Sequence, residues 1–162
     1  MKKTLWSADN DHDLFNLLVG QSFGDQPELN IDIIRQNKLE IAHYISNQLN
    51  LKKTDVVLDL GSGCGYLAKP ISHLVEKVIC CDISEDFLKY AKNECREVEN
   101  IEFHLVQNYK LKPLLNSSLD AAYSFNVFIH LNTYQIYAYL KEMARVLKAD
   151  SLFIFDIMST DL

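Results

Sequence analysis

The sequence predicts an α/β fold: a three-layer, doubly wound, mostly parallel sheet with helices on both faces. Three observations predict it. From residue 31 onward, segments of helical hydrophobic period alternate with short apolar runs, the pattern of successive strand–helix–strand units. The run VICCDI at 78–83 is almost continuously apolar, as a strand buried on both faces of a parallel sheet is. The run VVLDL at 56–60 stops abruptly at glycines 61, 63 and 65, a strand followed by a loop whose backbone comes close to a ligand.

Composition bounds the possibilities. A chain of 162 residues with 48% apolar content has room for one domain with a sizeable core. Its net charge of −6 and the lack of a Lys/Arg cluster argue against a clamp on duplex nucleic acid. There is no run of eighteen apolar residues, and the N-terminal MKKTLWSADNDHD turns acidic where a secretory signal needs an apolar centre, so a cytoplasmic address is expected. The four cysteines form no CxxC pair and read as reduced core thiols, not metal ligands, with Cys64 the one placed to touch a ligand.

Taken in order, residues 1–30 are polar, with a dense DNDHD run and a Gly/Asp/Pro cluster, and read as an arm or lid. Its apolar islands, Trp6, Phe23 and the Leu14–Val19 stretch, can dock on the rest. Residues 31–162 form the main domain. Ile34, Ile41, Ala42, Ile45 and Leu49 recur at three- and four-residue spacing, one face of a helix that Asn50 stops. After the strand at 56–60 a helix is expected over 66–76, with Pro70 in its first turns. A strand at 78–83, a helix at 85–95 and a strand at 101–106 follow. Lys112-Pro113 and Asn116-Ser117-Ser118 mark a loop before a strand at 119–125, a helix at 132–148 and a last strand at 152–157.

In a doubly wound sheet, ligands bind beyond the C-terminal strand ends near the switch in strand order. Four such ends carry candidate residues: Gly61 to Gly65, Asp82, Gln107 with Asn108, and the segment from Ser124 to Asn126. Asp82 follows the first glycine by about twenty residues, where a carboxylate can accept both hydroxyls of a ribose. The other reading of Asp82 is support for the helix N-terminus that begins at Ser84-Glu85-Asp86. A dinucleotide fingerprint would want a glycine three residues after Gly63, but that position is Tyr66.

The arrangement Asp59-x-Gly61-x-Gly63-x-Gly65, with Asp82 downstream, resembles motif I and the acidic position of the class I, Rossmann-like S-adenosylmethionine-dependent methyltransferases, over about residues 30–157. The resemblance implies S-adenosylmethionine as cofactor, S-adenosylhomocysteine as product, and a small-molecule acceptor at oxygen or nitrogen. It implies that Asp59 orients the loop near the methionine amino group, that Gly61, Ser62, Gly63, Gly65 and Tyr66 form the cofactor loop, and that Asp82 holds the ribose. Ile83 then packs on adenine, Gln107 or Asn108 reads its amino group in place of the commoner Asp, and backbone at Phe125 faces the methionine portion. The segment YSFNVFIHL at 123–131 resembles the one after strand four in small-molecule members, which makes His130 the candidate base and Asn126 a candidate substrate hydrogen-bonder. The alternative for His130, amid Phe128, Ile129 and Leu131, is a packing residue. The segment lacks the Asn-Pro-Pro-Tyr-like signature of methylation on bases and glutamine, which makes nucleic-acid acceptors unexpected.

Against the family's usual seven strands, the sequence predicts a fold truncated after the fifth, without the closing helix and hairpin. LFIFDI is too apolar for a bare edge, so pairing along it is expected, between two copies or with a partner chain, unless the chain is part of a longer protein. Two readings of different class follow: an active methyltransferase, and a non-catalytic methyltransferase-like domain that serves cofactor binding or assembly. A NAD-dependent dehydrogenase is disfavoured by Tyr66.

Overall fold

The structure, a computed structural model, describes residues 31–157. The expected arm at 1–30 lies outside them. Helix α1 (Ile31–Leu49) turns Ile34, Ala42, Ile45 and Leu49 inward, and Asn50 ends it in the left-handed conformation with φ 49°. Strand β1 (Val56–Leu60) is followed by the glycine loop and α2 (Ala68–Ser72), then β2 (Lys77–Asp82) and α3 (Glu85–Glu94). Strands β3 (Ile101–Leu105) and β4 (Leu119–Ser124), a single 3₁₀ turn (Phe128–His130), α4 (Thr133–Val146) and β5 (Leu147–Phe155) complete the described chain.

The five strands form one sheet in the order β3-β2-β1-β4-β5, and every neighbouring pair is parallel. The order reverses between β1 and β4, so the switch point lies at the C-terminal end of β1. Strand alternation divides the core into two layers. Leu58, Leu60, Ile79, Cys81 and Ala122 face α4 through Tyr139, Met143 and Val146. Val57, Val78, Cys80, Ala121 and Tyr123 face Ala42, Ile45 and Leu49 of α1 and Ala68 and Ile71 of α2. All four cysteines are buried free thiols.

Two elements differ from the sequence reading by more than two residues at a boundary. The helix expected over 66–76 shrinks to five residues, because Pro70 is confined to a first turn and the Ser72 hydroxyl donates back to Lys69 O at 2.6 Å. Strand β5 starts at Leu147, not 152, since Leu147 is extended (φ −71°, ψ 141°) and pairs with Leu119 before a register shift. Helices α3 and α4 are capped by side chains: Ser84 Oγ accepts from Phe87 N, and Asn132 with Gln135 forms a capping box on α4. No helix among the described residues is long and apolar enough to cross a membrane.

Candidate functional site

The C-terminal ends of β1, β2 and β4, with α1 and the start of α4, enclose a cleft of about 200 Å³. Its floor is the glycine loop. Gly61 N donates to Cys81 O at 2.6 Å, which ties the turn to the end of β2, and Gly63 N donates to Asp82 Oδ2 at 2.8 Å. The three glycines have different reasons. A Cβ at Gly61 (φ +77°) would lie 2.2 Å from Val127 Cγ2, and one at Gly65 (φ +80°) would lie 2.9 Å from Cys95 Sγ. At Gly63 (φ +51°) it would meet nothing within 4 Å, so this glycine opens on the cleft, where a ligand can approach the backbone.

Asp59 is 2% exposed in the central strand, between Cys80 and Tyr123. Alternation turns its side chain to the face that α1 covers. Its Oδ2 is buried without a hydrogen bond to the described residues, as is Ser62 Oγ, and both residues line the cleft. Burial pushes the Asp59 carboxyl up to about 7; the Tyr123 hydroxyl is close enough to oppose this but stands outside hydrogen-bonding geometry. Asp82 accepts from Gly63 N through one oxygen and from Ser84 N through the other, both at 2.8 Å. Burial raises its pKa while these N–H groups hold it down. Each oxygen retains a second lone pair, so bracing the loop and accepting from a diol are compatible roles.

Across the cleft, Asn126 (φ 57°) donates its N–H to both carboxylate oxygens of Asp156, at 2.9 and 3.0 Å, which fixes the turn after β4. His130 is exposed at the rim, its N–H donating to Val127 O at 3.0 Å. A polar–aromatic wall completes this side: Tyr109 meets Tyr139 edge-on at 5.5 Å, and Gln135 Nε2 donates to the Tyr109 hydroxyl.

Of the residues singled out by sequence, Asp59, Gly61, Ser62, Gly63, Tyr66, Asp82, Ile83, Phe125, Asn126 and His130 line this cleft, as does Cys64. Gly65 does not; it packs on α3. Gln107 and Asn108 are exposed outside the lining, where Asn108 and Tyr109 are both left-handed (φ 54° and 57°) and Tyr109 is the residue turned to the cleft. Sequence reasoning missed Tyr109, Gln135, Tyr139 and Lys38 as lining residues. Lys38 carried a readable signal: it lies four residues from both Ile34 and Ala42, on the buried face of α1.

A family model for methyltransferase domains matches residues 57–150, from β1 into β5. The chain belongs to that family. The methyltransferase domain is 32% identical over 138 residues to an uncharacterized protein of Methanocaldococcus jannaschii, covering 85% of this chain and 51% of that one. It is 33% identical over 113 residues to a demethylmenaquinone methyltransferase of Tropheryma whipplei, covering 68% and 46%. The chain thus spans about half the length of the curated relatives it matches. Among solved structures, the YcgJ protein of Bacillus subtilis is 25% identical with TM-score 0.65, over 74% of this chain and 50% of that one. A S-adenosylmethionine-dependent methyltransferase of Aquifex aeolicus shares the fold at TM-score 0.67 and 22% identity, over 91% and 72%. The class I, Rossmann-like methyltransferase fold expected from motif I is the one the structure has.

Proposed function

We propose that this domain binds S-adenosylmethionine in the cleft and transfers its methyl group to an oxygen or nitrogen of a small molecule. The observation that carries the reading is the pair of buried atoms without a hydrogen bond among the described residues, Asp59 Oδ2 and Ser62 Oγ, beside the open face of Gly63 and the carboxylate of Asp82. These groups suit a polar nucleoside with a charged tail: Asp82 for ribose hydroxyls, the Gly61–Ser62–Gly63 backbone and Asp59 for the amino-acid end, and Ile83 for the apolar face of adenine. Gln107 and Asn108 keep their proposed adenine contact only through movement of the turn after β3.

When bound, the sulfonium supplies an already activated methyl group. The chain's work is to hold the acceptor in line with it and exclude water, so proximity accounts for most of the rate. In this reading Asn126, its backbone locked by Asp156, hydrogen-bonds the acceptor, and His130 at the rim takes the acceptor's proton as the new bond forms. The name of the Tropheryma relative, a demethylmenaquinone methyltransferase, supports a small-molecule acceptor.

A second reading, an assembly module, has its own observation. Among the described residues strand β5 is one of the two sheet edges, with Leu152 56% exposed in it and Ile157 65% exposed just past its end, and we infer that a second copy or a partner chain pairs along it. The deciding experiment is calorimetric titration of the protein with S-adenosylmethionine and S-adenosylhomocysteine, repeated on Asp82→Ala. The expected result is wild-type binding and a loss of about tenfold or more in the variant, the effect of removing charge-assisted hydrogen bonds. Absence of wild-type binding at millimolar ligand would reject the enzyme in favour of the assembly module.

A further inference from the structure

Lys38 is a cation in an unusual place. It projects from the core-facing side of α1, half-buried, and its Nζ lies 4.4 Å from the ring centroid of Phe125 at the end of β4. It lines the same cleft as Asp59, and among the described residues no carboxylate comes within the 4.0 Å of an ion pair with it. Burial pulls its pKa down, and the charges of Asp59 and Asp156, acting through space, only partly oppose this. An ammonium drawn out of water without a close counter-charge is costly unless something completes it.

The cleft therefore holds two incomplete charged groups. Among the described residues, Asp59 has a buried oxygen with no donor and Lys38 an ammonium with no paired anion. An α-amino acid group is the complement of both, since its ammonium suits the carboxylate and its carboxylate suits the lysine. A lone phosphate or carboxylate would satisfy Lys38 and leave Asp59 beside a second negative charge.

We propose that Lys38 binds the carboxylate of the ligand's amino-acid end while Asp59 takes its ammonium, so that the cleft selects nucleosides carrying an α-amino acid tail over the same nucleosides without one. This rests on the reading of the cleft as the S-adenosylmethionine site and assigns a residue to one end of it. Lys38 is then a specificity residue delivered by the helix that precedes the glycine loop, with its ammonium over the Phe125 ring.

The test is calorimetry on wild type and Lys38→Gln with three probes: S-adenosylmethionine, its decarboxylated analogue, and 5′-methylthioadenosine. Wild type is expected to bind S-adenosylmethionine about tenfold or more tighter than the decarboxylated analogue. Lys38→Gln is expected to lose about that factor for S-adenosylmethionine, and less than about twofold for the two probes without a carboxylate. Retained binding of 5′-methylthioadenosine shows that the variant is folded. Equal wild-type affinity for the carboxylated and decarboxylated ligands, or an equal loss on both in the variant, overturns the assignment while leaving the cofactor site standing. Failure of wild type to bind any of the three removes the cofactor site, and the assignment with it.

Discussion

The two walls of the cleft are built differently. The wall formed by β1 and β2 is fixed through main chain and buried groups: the glycine loop hydrogen-bonds to Cys81 O and to the Asp82 carboxylate, two of its glycines are packed against Val127 and α3, and Asp59 and Asp82 are buried. The wall formed after β3 and β4 is held by side chains of the elements that follow it. Its turn at Asn126 is held by Asp156, and the loop at 111–114 is held by Arg145 and Glu142 of α4, through Arg145 Nη1 to Leu114 O at 2.8 Å and Leu111 N to Glu142 Oε2 at 2.9 Å. Of its polar residues, His130 is exposed and Tyr109, Asn126 and Gln135 are half-buried. A wall whose geometry comes from backbone and buried charge fits one ligand, whereas a wall of loops tied down by remote side chains can change its occupant without disturbing the sheet.

The sharpest way to break this comparison is within the glycine loop. Gly61→Ala drives a Cβ into Val127 and into an unfavourable φ, and is expected to cost about 2–5 kcal/mol in urea unfolding. Gly63→Ala meets no protein atom, and is expected to cost about 1–2 kcal/mol of stability from its positive φ while losing cofactor affinity. Equal stability losses would contradict the division between a packed glycine and a ligand-facing one.

Asp59 gives the next effect. Its carboxyl lies near 7 in the folded chain against 3.8 for the unperturbed group, so the folded state holds the proton more tightly. That contribution to stability is fully present below about pH 4 and is lost as pH rises through about 7. Asp59→Asn cannot titrate. Without ligand, the stability of wild type relative to this variant is expected to fall over that window by an amount on the order of 2–4 kcal/mol, read from urea midpoints at several pH values. A flat difference would mean that Asp59 is not held in a desolvated site.

The second wall is tested by Asp156→Ala. Loss of the carboxylate leaves Asn126 N without its acceptor, and is expected to cost about 1–2 kcal/mol and to speed amide exchange at Asn126, leaving exchange at Gly61 and Gly63 unchanged. Acceleration on both sides would join the two walls into one cooperative unit.

Much of the first wall was legible from residues alone. Strand, glycine spacing and downstream acid are neighbours in sequence, and their periodicity and turn chemistry place them at adjacent strand ends. The second wall was less so. Gln107 and Asn108 stand correctly after β3, but two consecutive left-handed residues turn Tyr109 toward the cleft instead, a backbone choice with no glycine to announce it. Gln135 completes the capping box of α4 with Asn132, yet its amide also reaches Tyr109. Its second role depends on how α4 crosses the sheet.

By itself, then, the sequence determined the α/β class, the sheet's membership and the identity of the glycine loop with Asp82, because period-two and period-3.6 burial and positive φ are local demands that residue types must meet. Only the tertiary structure decided that Lys38 of α1 stands over Phe125 in the cleft of Asp59, and that Asp156 locks Asn126 thirty residues away. Those are meetings between elements, set by how the helices pack on the sheet, and hydrophobic patterning specifies which face is buried without specifying what it is buried against.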